Sequence, residues 1–437
     1  MFMNPPRGTR FTDAFDAALQ KLANRSMSRS KENPIVVRML FSPENDYDQV
    51  INTLTKNLPD DANNLHIYAG SWLKSLPNMN IGATWNHAKM IAVDGIHLME
   101  GGTEPVDDIY LGKNPVHDLS VHIEGDVTYD AHHFADQQWQ LMTAEQQDSW
   151  MPTVFGLIPS TTITKVSMKN YPRDNAPASP PQNTQKMEIS TQQQLGESSN
   201  IVPIISVGRQ GGLYGPPSTI WPSDDAILAM INSSQSSMRF IIQDVGPMTV
   251  PGVQLGWPKH YLTVIGVAMY ERNVKVDMVL SNLNAYPSNL SDLGPVQING
   301  YGYGWTCSDV ASEIIKAMQE HYLDDIDDAK LRAVIRENLR MCYIRHNKSS
   351  TYEDNNSIGL HSKHWIVDDK ACYIGSQNLY ESGNLADWGL VIDHEEEVLK
   401  IKNEYFVPMW RNSYTGEDVD LDKVMDDLNV GGHDEDV

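Results

Sequence analysis

One spaced pattern of polar residues occurs twice in the chain. Each copy begins with a histidine, followed by a lysine two residues later, an aspartate seven residues later, a pair of small residues at positions 14 and 15, and a polar residue at position 17. The first copy is His87, Lys89, Asp94, Gly101-Gly102 and Glu104, and the second is His361, Lys363, Asp368, Gly375-Ser376 and Asn378. A single H-x-K-x4-D pattern would arise by accident in roughly a few per cent of chains of this length. Two copies with the same downstream step indicate a duplicated unit.

The spacing within each copy predicts which side chains act together. Residues two apart on a β-strand project from the same face, so we expect His87 beside Lys89 and His361 beside Lys363. If the two copies meet, two imidazoles and two ammonium groups surround one cavity. One imidazole can then attack phosphorus and the other can protonate the departing alkoxide, while the lysines stabilise the non-bridging oxygens in place of a metal. The pattern therefore predicts phosphodiester chemistry that needs no cofactor.

Other residues of the pattern have predicted supporting roles. The side-chain amide of Asn378 can donate to the same oxygens, and Gly101, Gly102 and Gly375 can let the backbone approach the phosphate closely. In the structural alternative, each histidine is a buried core residue and each lysine an exposed charge on a strand. That alternative suits one isolated copy, but the duplication disfavours it.

A polar segment separates the two copies. Residues 160–200 are rich in Ser, Thr, Pro, Gln and Asn and have no hydrophobic period, which is typical of a linker or a long surface excursion. This segment divides a first half, residues 1–159, from a second half, residues 201–415. Residues 416–437 form an acidic tail that we expect to be solvated and partly disordered.

Short apolar runs alternate with helical patterns in both halves, which predicts βα units, mixed sheets covered by helices and an α/β fold. The predicted strands are Pro34–Phe41, Leu65–Tyr68, Trp85–Val93, Leu119–Ile123, Arg239–Asp244, Val274–Leu280, Cys342–Arg345, His361–Val367 and Trp388–Ile392. The predicted helices are Gln49–Leu58, Tyr129–Thr143, Asp225–Asn232, Tyr261–Glu271, Ser308–Tyr322, Ala329–Leu339 and Glu395–Trp410.

Charge and composition narrow the possible partners. A net charge of −24 over 437 residues weighs against nonspecific binding to duplex DNA, whose affinity comes from neutralised phosphates. No apolar run reaches the ~18 residues that a membrane-spanning helix needs, and residues 1–10 lack the layout of a signal peptide. Cys307, Cys342 and Cys372 are too widely spaced for a zinc knuckle, and three buried thiols are favoured over one disulfide with a spare thiol.

These residues resemble the phospholipase D superfamily, and the match extends beyond the short motifs. The stretch HAKMIAVDG…GGTEPVDDIYLGKNPVHDLSVHIEG is similar to the first motif, glycine step and following P-V-x-D segment of the bacterial secreted, transphosphatidylating phospholipases D. The stretch HSKHWIVDD…YIGSQNLYESGNLADWGLVID is similar to their second motif and tail. The resemblance implies a secreted monomer made of two pseudo-symmetric α-β-α-β-α sandwich halves, with one active site at their interface. It also implies that a leading segment of the family domain is missing.

The resemblance assigns roles residue by residue. It implies that His87 is the nucleophile and His361 the general acid and later base. Asp118 and Asp387 would accept the Nδ1–H of His87 and His361, respectively. An imidazole also needs such a carboxylate to fix its tautomer and raise its basicity. Asp94 and Asp368, at the far ends of their strands, are expected to have structural hydrogen-bonding roles.

Glu104 departs from the family pattern, which usually has Asn at position 17 of both copies. A carboxylate beside a phosphate is repulsive unless a lysine pairs with it or the substrate brings a cation. Three interpretations remain: altered specificity towards a cationic or hydroxyl-rich group, reduced activity, or an engineered substitution. The sequence does not rank the first two, and the third is less favoured.

Substrate class depends on loops rich in Gly, Pro and aromatic residues, namely 211–221, 246–257 and 299–305. They could contact a lipid interface or line an acyl channel, or their aromatics could pack beneath the loops. The leading hypothesis is a phospholipase D that hydrolyses, and can transphosphatidylate, a phospholipid at transient membrane contacts. The second is a phosphodiesterase on another substrate, including a nuclease, and the acidity argues against nucleic acid. The third is a non-catalytic phosphate- or lipid-binding relative disabled at Glu104.

Overall fold

The structure is a computed structural model. It describes residues 1–2, 5–41, 52–71, 73–75, 82–143, 149–153, 156–160, 167–171, 201–210, 222–243, 248–250, 253–255, 259–283, 285, 305–379 and 385–431. Within these ranges, no helix has both the length and the apolarity needed to cross a membrane. The aromatic loop predicted at 211–221 and residues 299–304 of the third loop lie outside the described residues, and of the loop at 246–257 only 248–250 and 253–255 are described.

The first part of the chain, up to residue 171, forms two described sheets that matter for the site, and short hairpins. Its strands are β1 (Ile35–Phe41), β2 (Leu65–Ser71), β3 (Leu73–Ser75), β4 (Gly82–Trp85), β5 (Met90–Val93), β6 (His97–Gly101), β7 (Ser120–Glu124), β8 (Ser149–Thr153), β9 (Gly156–Ser160) and β10 (Ser167–Tyr171). Three of its helices are α1 (Thr9–Ser26), α2 (Asp107–Tyr110) and α3 (Val127–Thr143).

The second part, from residue 201, is built around one large sheet. Its strands are β11 (Ile204–Gln210), β12 (Ser237–Ile242), β13 (Met248–Val250), β14 (Val253–Leu255), β15 (Lys275–Leu280), β16 (Leu339–Tyr343), β17 (Lys363–Val367), β18 (Ala371–Gly375) and β19 (Ala386–Asp393). Its helices are α4 (Pro222–Asn232), α5 (Lys259–Arg272), α6 (Cys307–Tyr322), α7 (Asp328–Asn338), α8 (Glu395–Ile401), α9 (Val407–Ser413) and α10 (Leu421–Asp427). A π-helical turn, Lys402–Phe406, joins α8 to α9, and a 3-10 turn, Leu323–Asp325, follows α6.

The large sheet has seven strands in the order β11-β19-β18-β17-β12-β15-β16 and mixes parallel with antiparallel pairs. Successive residues of its central strands face opposite cores. Phe240 and Trp365 pack with α4, α5, α6 and α7, whereas Ile241 and Ile366 pack with residues of α8 and α9. Burial on both faces explains why these strands read as continuous apolar runs rather than alternating ones. The prediction of a mixed α/β fold is therefore confirmed.

The first part shows the same kinds of pairing in separate sheets. Strands β1 and β2 are parallel, β10 adds antiparallel to β2, and β5-β6-β7 form an antiparallel sheet. The backbone of Met1 and Phe2 connects the two sheets, because Phe2 N–H donates to Leu40 O (3.0 Å) and Met90 N–H donates to Met1 O (2.8 Å). The pseudo-symmetric arrangement of two sandwich halves remains a prediction.

Two expectations about polar segments need correction. The predicted linker, residues 160–200, contains β10, whose residues Ser167–Tyr171 pair with β2. The acidic tail is ordered through residue 431, and the expectation of a solvated, partly disordered segment is wrong there. Leu421, Val424, Met425 and Leu428 recur at helical spacing, and α10 packs this apolar face against the main core.

The three cysteines are free and buried, as favoured from their spacing. The helices around them begin with side-chain caps that satisfy their first backbone donors. Thr306 and Asp309 form a capping box at the start of α6, and Asp327 caps α7 by accepting from Lys330 N–H. These two helices cover the face of the sheet that carries the second motif.

Candidate active site

The two motifs enter the sheets in the same way. His87 to Lys89 lie immediately before β5, and His361 and Ser362 lie immediately before β17, which begins at Lys363. The prediction that each histidine lies on a strand is therefore wrong by a few residues, because the strand hydrogen bonds start after it. All four functional side chains are buried: His87 is 6% exposed, Lys89 1%, His361 4% and Lys363 1%.

Each motif is anchored by backbone from the other part of the chain. His87 N–H donates to Ala386 O at 2.9 Å, and His361 N–H donates to His117 O at 2.8 Å. Each acceptor immediately precedes a carboxylate, since Asp387 follows Ala386 and Asp118 follows His117. These reciprocal bridges bring each histidine to the aspartate of the opposite part.

The histidine–aspartate pairs are consequently crossed. His87 Nδ1 lies 2.7 Å from Asp387 Oδ1, and His361 Nδ1 lies 2.9 Å from Asp118 Oδ2. The sequence-based pairing, Asp118 with His87 and Asp387 with His361, is wrong. It assumed that each motif is served by the segment that follows it, whereas the backbone bridges exchange the partners. Both aspartates still occupy the predicted position at Nδ1.

Asp387 is held by a second group of donors. Arg209 donates to Asp387 Oδ2 through Nε (2.9 Å) and Nη2 (2.8 Å), and Ser376 Oγ donates to Oδ1 (2.9 Å). Burial alone would raise the pKa of Asp387, but Arg209 and His87 outweigh it and hold the pKa far below its usual range. Asp387 is therefore a fixed anion behind His87.

Asp118 accepts hydrogen bonds from a different set of donors. Tyr110 Oη donates to Asp118 Oδ2 (3.0 Å), and Leu119 N–H donates to Oδ1 (2.8 Å). The same hydroxyl lies 3.1 Å from His361 Nδ1, which is also 3.2 Å from Gly102 O. Burial would raise the pKa of Asp118, but His361 and Lys363 lower it overall. His361 thus has several acceptors around one ring nitrogen.

Both imidazoles are predominantly neutral at neutral pH. Burial, reinforced by Lys89, lowers the pKa of His87 to about 4, and burial, reinforced by Lys363, lowers that of His361 to about 3. A neutral imidazole that donates its Nδ1–H to a carboxylate presents an unprotonated Nε2 lone pair. Each histidine therefore has the tautomer that a nucleophile or a general base requires.

Each lysine lowers the pKa of the histidine in the other motif, so the two motifs lie near each other, but the lysines have different hydrogen-bond partners. Lys89 Nζ lies 3.0 Å from Glu104 Oε1 and donates to His87 O at 2.7 Å. Lys363 Nζ donates to Gln243 Oε1 at 3.1 Å and to His361 O. The expected pairing of Glu104 with Lys89 is confirmed, and both side chains are fully buried. Asn378, three residues beyond β18, is also buried.

Glu100 is a second buried carboxyl group near Lys89, and the sequence reading missed it. It is fully buried on β6, and neither carboxyl oxygen has a hydrogen-bond partner among the described residues. Burial raises the pKa of Glu100 well above its usual value, with Lys89 opposing the shift. Comparing the two copies could have found it, since position 13 holds Glu100 in the first and Ile374 in the second.

The motif glycines leave space that other protein atoms occupy, so their role is not only to let a ligand approach. A Cβ at Gly102 would lie 2.1 Å from Asp118 Oδ1, and one at Gly375 would lie 2.6 Å from Gly389 Cα. The expectation that these glycines serve approach to the phosphate is therefore incomplete. At Gly102, the absence of a side chain lets Asp118 reach His361.

The motif aspartates have structural positions. Asp94 and Asp368 both have φ of 54°, in the turns that follow β5 and β17. Asp368 accepts from the backbone N–H groups of Gln235, Ser236 and Ser237 at 2.7–2.9 Å. The predicted hydrogen-bonding role is confirmed for Asp368.

Comparisons with known proteins found similarity in both sequence and structure. No family model matches the chain. It is 25% identical over 360 residues to phospholipase D from Streptomyces antibioticus, covering 78% of this chain and 61% of that protein. The structure is similar to phosphatidylserine synthase from Haemophilus influenzae (TM-score 0.45, 10% identity, 95% of this chain and 90% of that one). It is also similar to NucT from Helicobacter pylori (TM-score 0.29, 16% identity, 49% and 98%).

The described residues form a mixed α/β protein with two H-x-K-x4-D motifs and crossed histidine–aspartate pairs. Together with the sequence similarity over 360 residues, these features support membership of the phospholipase D superfamily. The chain spans 61% of the length of the curated relative that it matches.

Proposed function

We propose that the chain is a phospholipase D-type phosphodiesterase that hydrolyses the distal phosphodiester of a phospholipid and can transfer the phosphatidyl group to an alcohol. The observation that carries the proposal is the pair of buried imidazoles, each held at Nδ1 by a buried carboxylate, beside Lys89 and Lys363. The similarity to phospholipase D from Streptomyces antibioticus supports the lipid substrate.

In the first half-reaction, His87 Nε2 attacks phosphorus. A P–N bond forms, the bond from phosphorus to the head-group oxygen breaks, and His361 gives its proton to that oxygen. Asp387 stabilises the positive charge that develops on His87. Lys89, Lys363 and the amide of Asn378 stabilise the non-bridging oxygens. The assignment of the nucleophile to His87 rests on the family resemblance.

In the second half-reaction, neutral His361 removes a proton from water or an alcohol. The resulting oxygen attacks phosphorus, the P–N bond breaks, and His87 returns to its neutral form. Water gives a phosphatidic acid, and an alcohol gives the corresponding phosphatidyl ester. Over the two half-reactions, His361 recovers from the attacking water or alcohol the proton that it gave to the head-group oxygen.

The low pKa of His361 adds a requirement to this mechanism. A general acid must be protonated when the head group leaves, yet His361 is neutral in the free protein at neutral pH. The negative charge of a bound phosphodiester favours the imidazolium form, because an opposite charge within about 4–6 Å raises the pKa of an imidazole. We therefore propose that substrate binding is accompanied by proton uptake.

A second candidate is a phosphate- or lipid-binding protein with little turnover. The contact of 3.0 Å between Glu104 and Lys89 favours low turnover, because the carboxylate offsets the positive charge that Lys89 would place on the non-bridging oxygens in the transition state. The complete set of His87, His361, Asp118 and Asp387 favours catalysis instead. A single measurement of turnover distinguishes the two candidate functions.

The test uses mixed phospholipid vesicles in aqueous ethanol, with and without a chelator. Formation of phosphatidylethanol in both conditions would establish the lipid substrate, transfer to an alcohol and independence from a dissociable metal. The matched control is His361→Ala, which should form neither product. A folded protein that binds vesicles but gives no phosphatidic acid or phosphatidylethanol would refute the enzyme and favour the binding protein.

A further inference from the structure

Three exposed side chains with metal-ligand chemistry lie on one face of strands β6 and β7. His97 lies directly opposite Glu124 in the antiparallel register, and His122 lies two residues from Glu124, so all three project from the same face. None of them takes part in the hydrogen bonds described for His87 or His361. The group is therefore separate from the candidate active site.

The distances within this group suit a shared ion. One ligand atom from each residue lies within 4.8 Å of the other two, and His97 Nδ1 is 3.3 Å from Glu124 Oε1. The two imidazole rings are nearly parallel, with centroids 5.7 Å apart and an interplanar angle of 17°. Zinc bonds of about 2.0–2.1 Å to nitrogen and oxygen put neighbouring tetrahedral ligands roughly 3.3 Å apart. Small side-chain rotations would bring these exposed groups to that spacing.

We propose that His97, His122 and Glu124 bind one divalent transition-metal ion, with zinc as the best fit, and leave a fourth position for water. Two imidazoles with one carboxylate favour zinc, copper or nickel over magnesium and calcium, which prefer oxygen ligands. The net charge of −24 raises the local concentration of cations around the chain.

The proposed metal site lies on the same two-stranded ribbon that leads to Asp118. The ribbon β6–β7 carries the group at the His97–Glu124 end, and its other end is the Gly101–Ser120 pair. Just beyond that end, Gly102 N–H donates to Leu119 O, and both Gly102 O and Asp118 Oδ2 contact His361 Nδ1. Four residues of strand separate the two ends, about 13 Å. A bound ion would hold β6 and β7 together at this end of the ribbon. It would stabilise the strand pair that leads to Asp118 and would not contact the reacting groups.

The experiment measures metal binding directly on the full chain. Metal-free protein is titrated with Zn²⁺ in competition with a chromophoric chelator, and with Co²⁺ while its visible spectrum is recorded. We expect one tight equivalent, a tetrahedral-type Co²⁺ spectrum, and a rise in Tm on the order of a few degrees with Zn²⁺, because the ion binds only the folded chain.

Substitution of the ligands tests the location. His122→Ala and Glu124→Gln should each weaken Zn²⁺ binding roughly tenfold or more and remove the rise in Tm. His321→Ala, which removes an exposed histidine from α6, is the matched control and should bind like the wild type. The metal-free variants should melt like the wild type, since the replaced side chains are exposed.

Two outcomes would overturn the proposal. The first is no saturable Zn²⁺ binding, which would mean that the three residues form only a surface ion pair and a ring contact. The second is binding of equal strength in wild type, His122→Ala and Glu124→Gln, which would place the ion elsewhere on the chain.

Discussion

Arg209 and Asp387 lie directly opposite each other in the antiparallel register of β11 and β19, and the guanidinium donates twice to Asp387 Oδ2. The other oxygen of the same carboxylate contacts His87 Nδ1. Arg209 therefore acts on His87 through Asp387, by neutralising part of the carboxylate charge and fixing its orientation. Asp118 is bound by neutral donors in its described hydrogen bonds, so the two histidines have different electrostatic surroundings.

Arg209→Gln should alter the pH dependence of the proposed activity. Without the guanidinium, the full charge of Asp387 acts on His87, which raises the pKa of that imidazole. We expect kcat/KM to fall roughly 10–100-fold and its acid limb to move to higher pH. The measurement is the pH profile of hydrolysis by wild type and variant. A uniform loss with an unchanged profile would mean that Arg209 is only structural.

His87→Ala and His361→Ala should each abolish turnover, because each histidine acts in both half-reactions. Loss of one acid–base group alone costs ~10²–10⁴-fold. A p-nitrophenyl phosphodiester separates the roles, since its leaving group needs no general acid. His361→Ala should accumulate a phosphohistidine adduct and His87→Ala should not.

The adduct can be followed by peptide mass spectrometry after a rapid quench at alkaline pH. An adduct on His361 in the His87→Ala protein would reverse the assigned roles. Retention of more than about a tenth of the wild-type activity by either variant would contradict the two-histidine mechanism altogether.

The crossed pairs predict which step each aspartate supports. Asp387→Asn should slow formation of the adduct on His87, whereas Asp118→Asn should slow the steps that need His361, chiefly breakdown of the adduct. Replacing a buried aspartate by asparagine favours the wrong imidazole tautomer, which costs about 10⁴-fold in the catalytic triad of serine proteases.

Burst kinetics with the p-nitrophenyl substrate distinguishes the two variants. Asp118→Asn should retain a burst followed by slow turnover, and Asp387→Asn should lose the burst. The opposite assignment would restore the pairing first expected from the sequence and would contradict the structure.

The sequence predicted the reacting residues better than the residues that position them and tune their charge. The histidines, lysines and aspartates occur at fixed spacings that the chemistry demands, so His87, Lys89, His361 and Lys363 could be identified before any fold. Arg209 and Tyr110 could not, because each becomes relevant only through a tertiary contact. The register of β11 on β19 places Arg209, and a contact across 251 residues places Tyr110.

Strands β6 and β18 were not predicted from the sequence, and the reason is physical. Each of these strands follows its motif after a tight turn, at Asp94 or Asp368, where the backbone has positive φ. Polar residues in the sequence indicate a turn there, but they do not show that the chain folds back as a hairpin. The exchange of Asp118 and Asp387 had no local signal. It depends on backbone bridges between His87 and Ala386 and between His361 and His117.

Anion binding should be coupled to proton uptake. Both histidines are neutral in the free protein at neutral pH because burial and the neighbouring lysines lower their pKa values to about 4 and about 3. A bound anion raises those pKa values, so the complex binds more protons than the free protein near the shifted values. Sulfate is a suitable probe because it does not itself titrate near neutral pH.

Calorimetric titration with sulfate in buffers of different ionisation enthalpy measures the protons taken up. We expect up to about one proton per sulfate below neutral pH, and a smaller number for His361→Ala. A binding heat that does not depend on the buffer would show that the imidazoles stay neutral when the anion binds. In that case, His361 could not be the general acid in the proposed first step.

The last prediction concerns Glu104, which lies 3.0 Å from Lys89 and occupies the position held by Asn378 in the second copy. If the field of Lys89 on the phosphate limits the rate, Glu104→Asn should raise kcat/KM on a simple phosphodiester about tenfold, equivalent to about 1.4 kcal/mol of barrier. If Glu104 recognises a cationic or hydroxyl-rich head group, the same change should weaken that substrate selectively. Glu100→Gln is the matched control, because burial raises the pKa of Glu100 well above its usual value, which favours the uncharged carboxyl group that the amide resembles. We favour recognition, since the remaining catalytic groups are intact, and kcat/KM for choline, ethanolamine, serine and glycerol head groups decides between the two. A uniform effect of Glu104→Asn on all four would exclude recognition, and an equal effect of Glu100→Gln would show that neither result depends on the charge of Glu104.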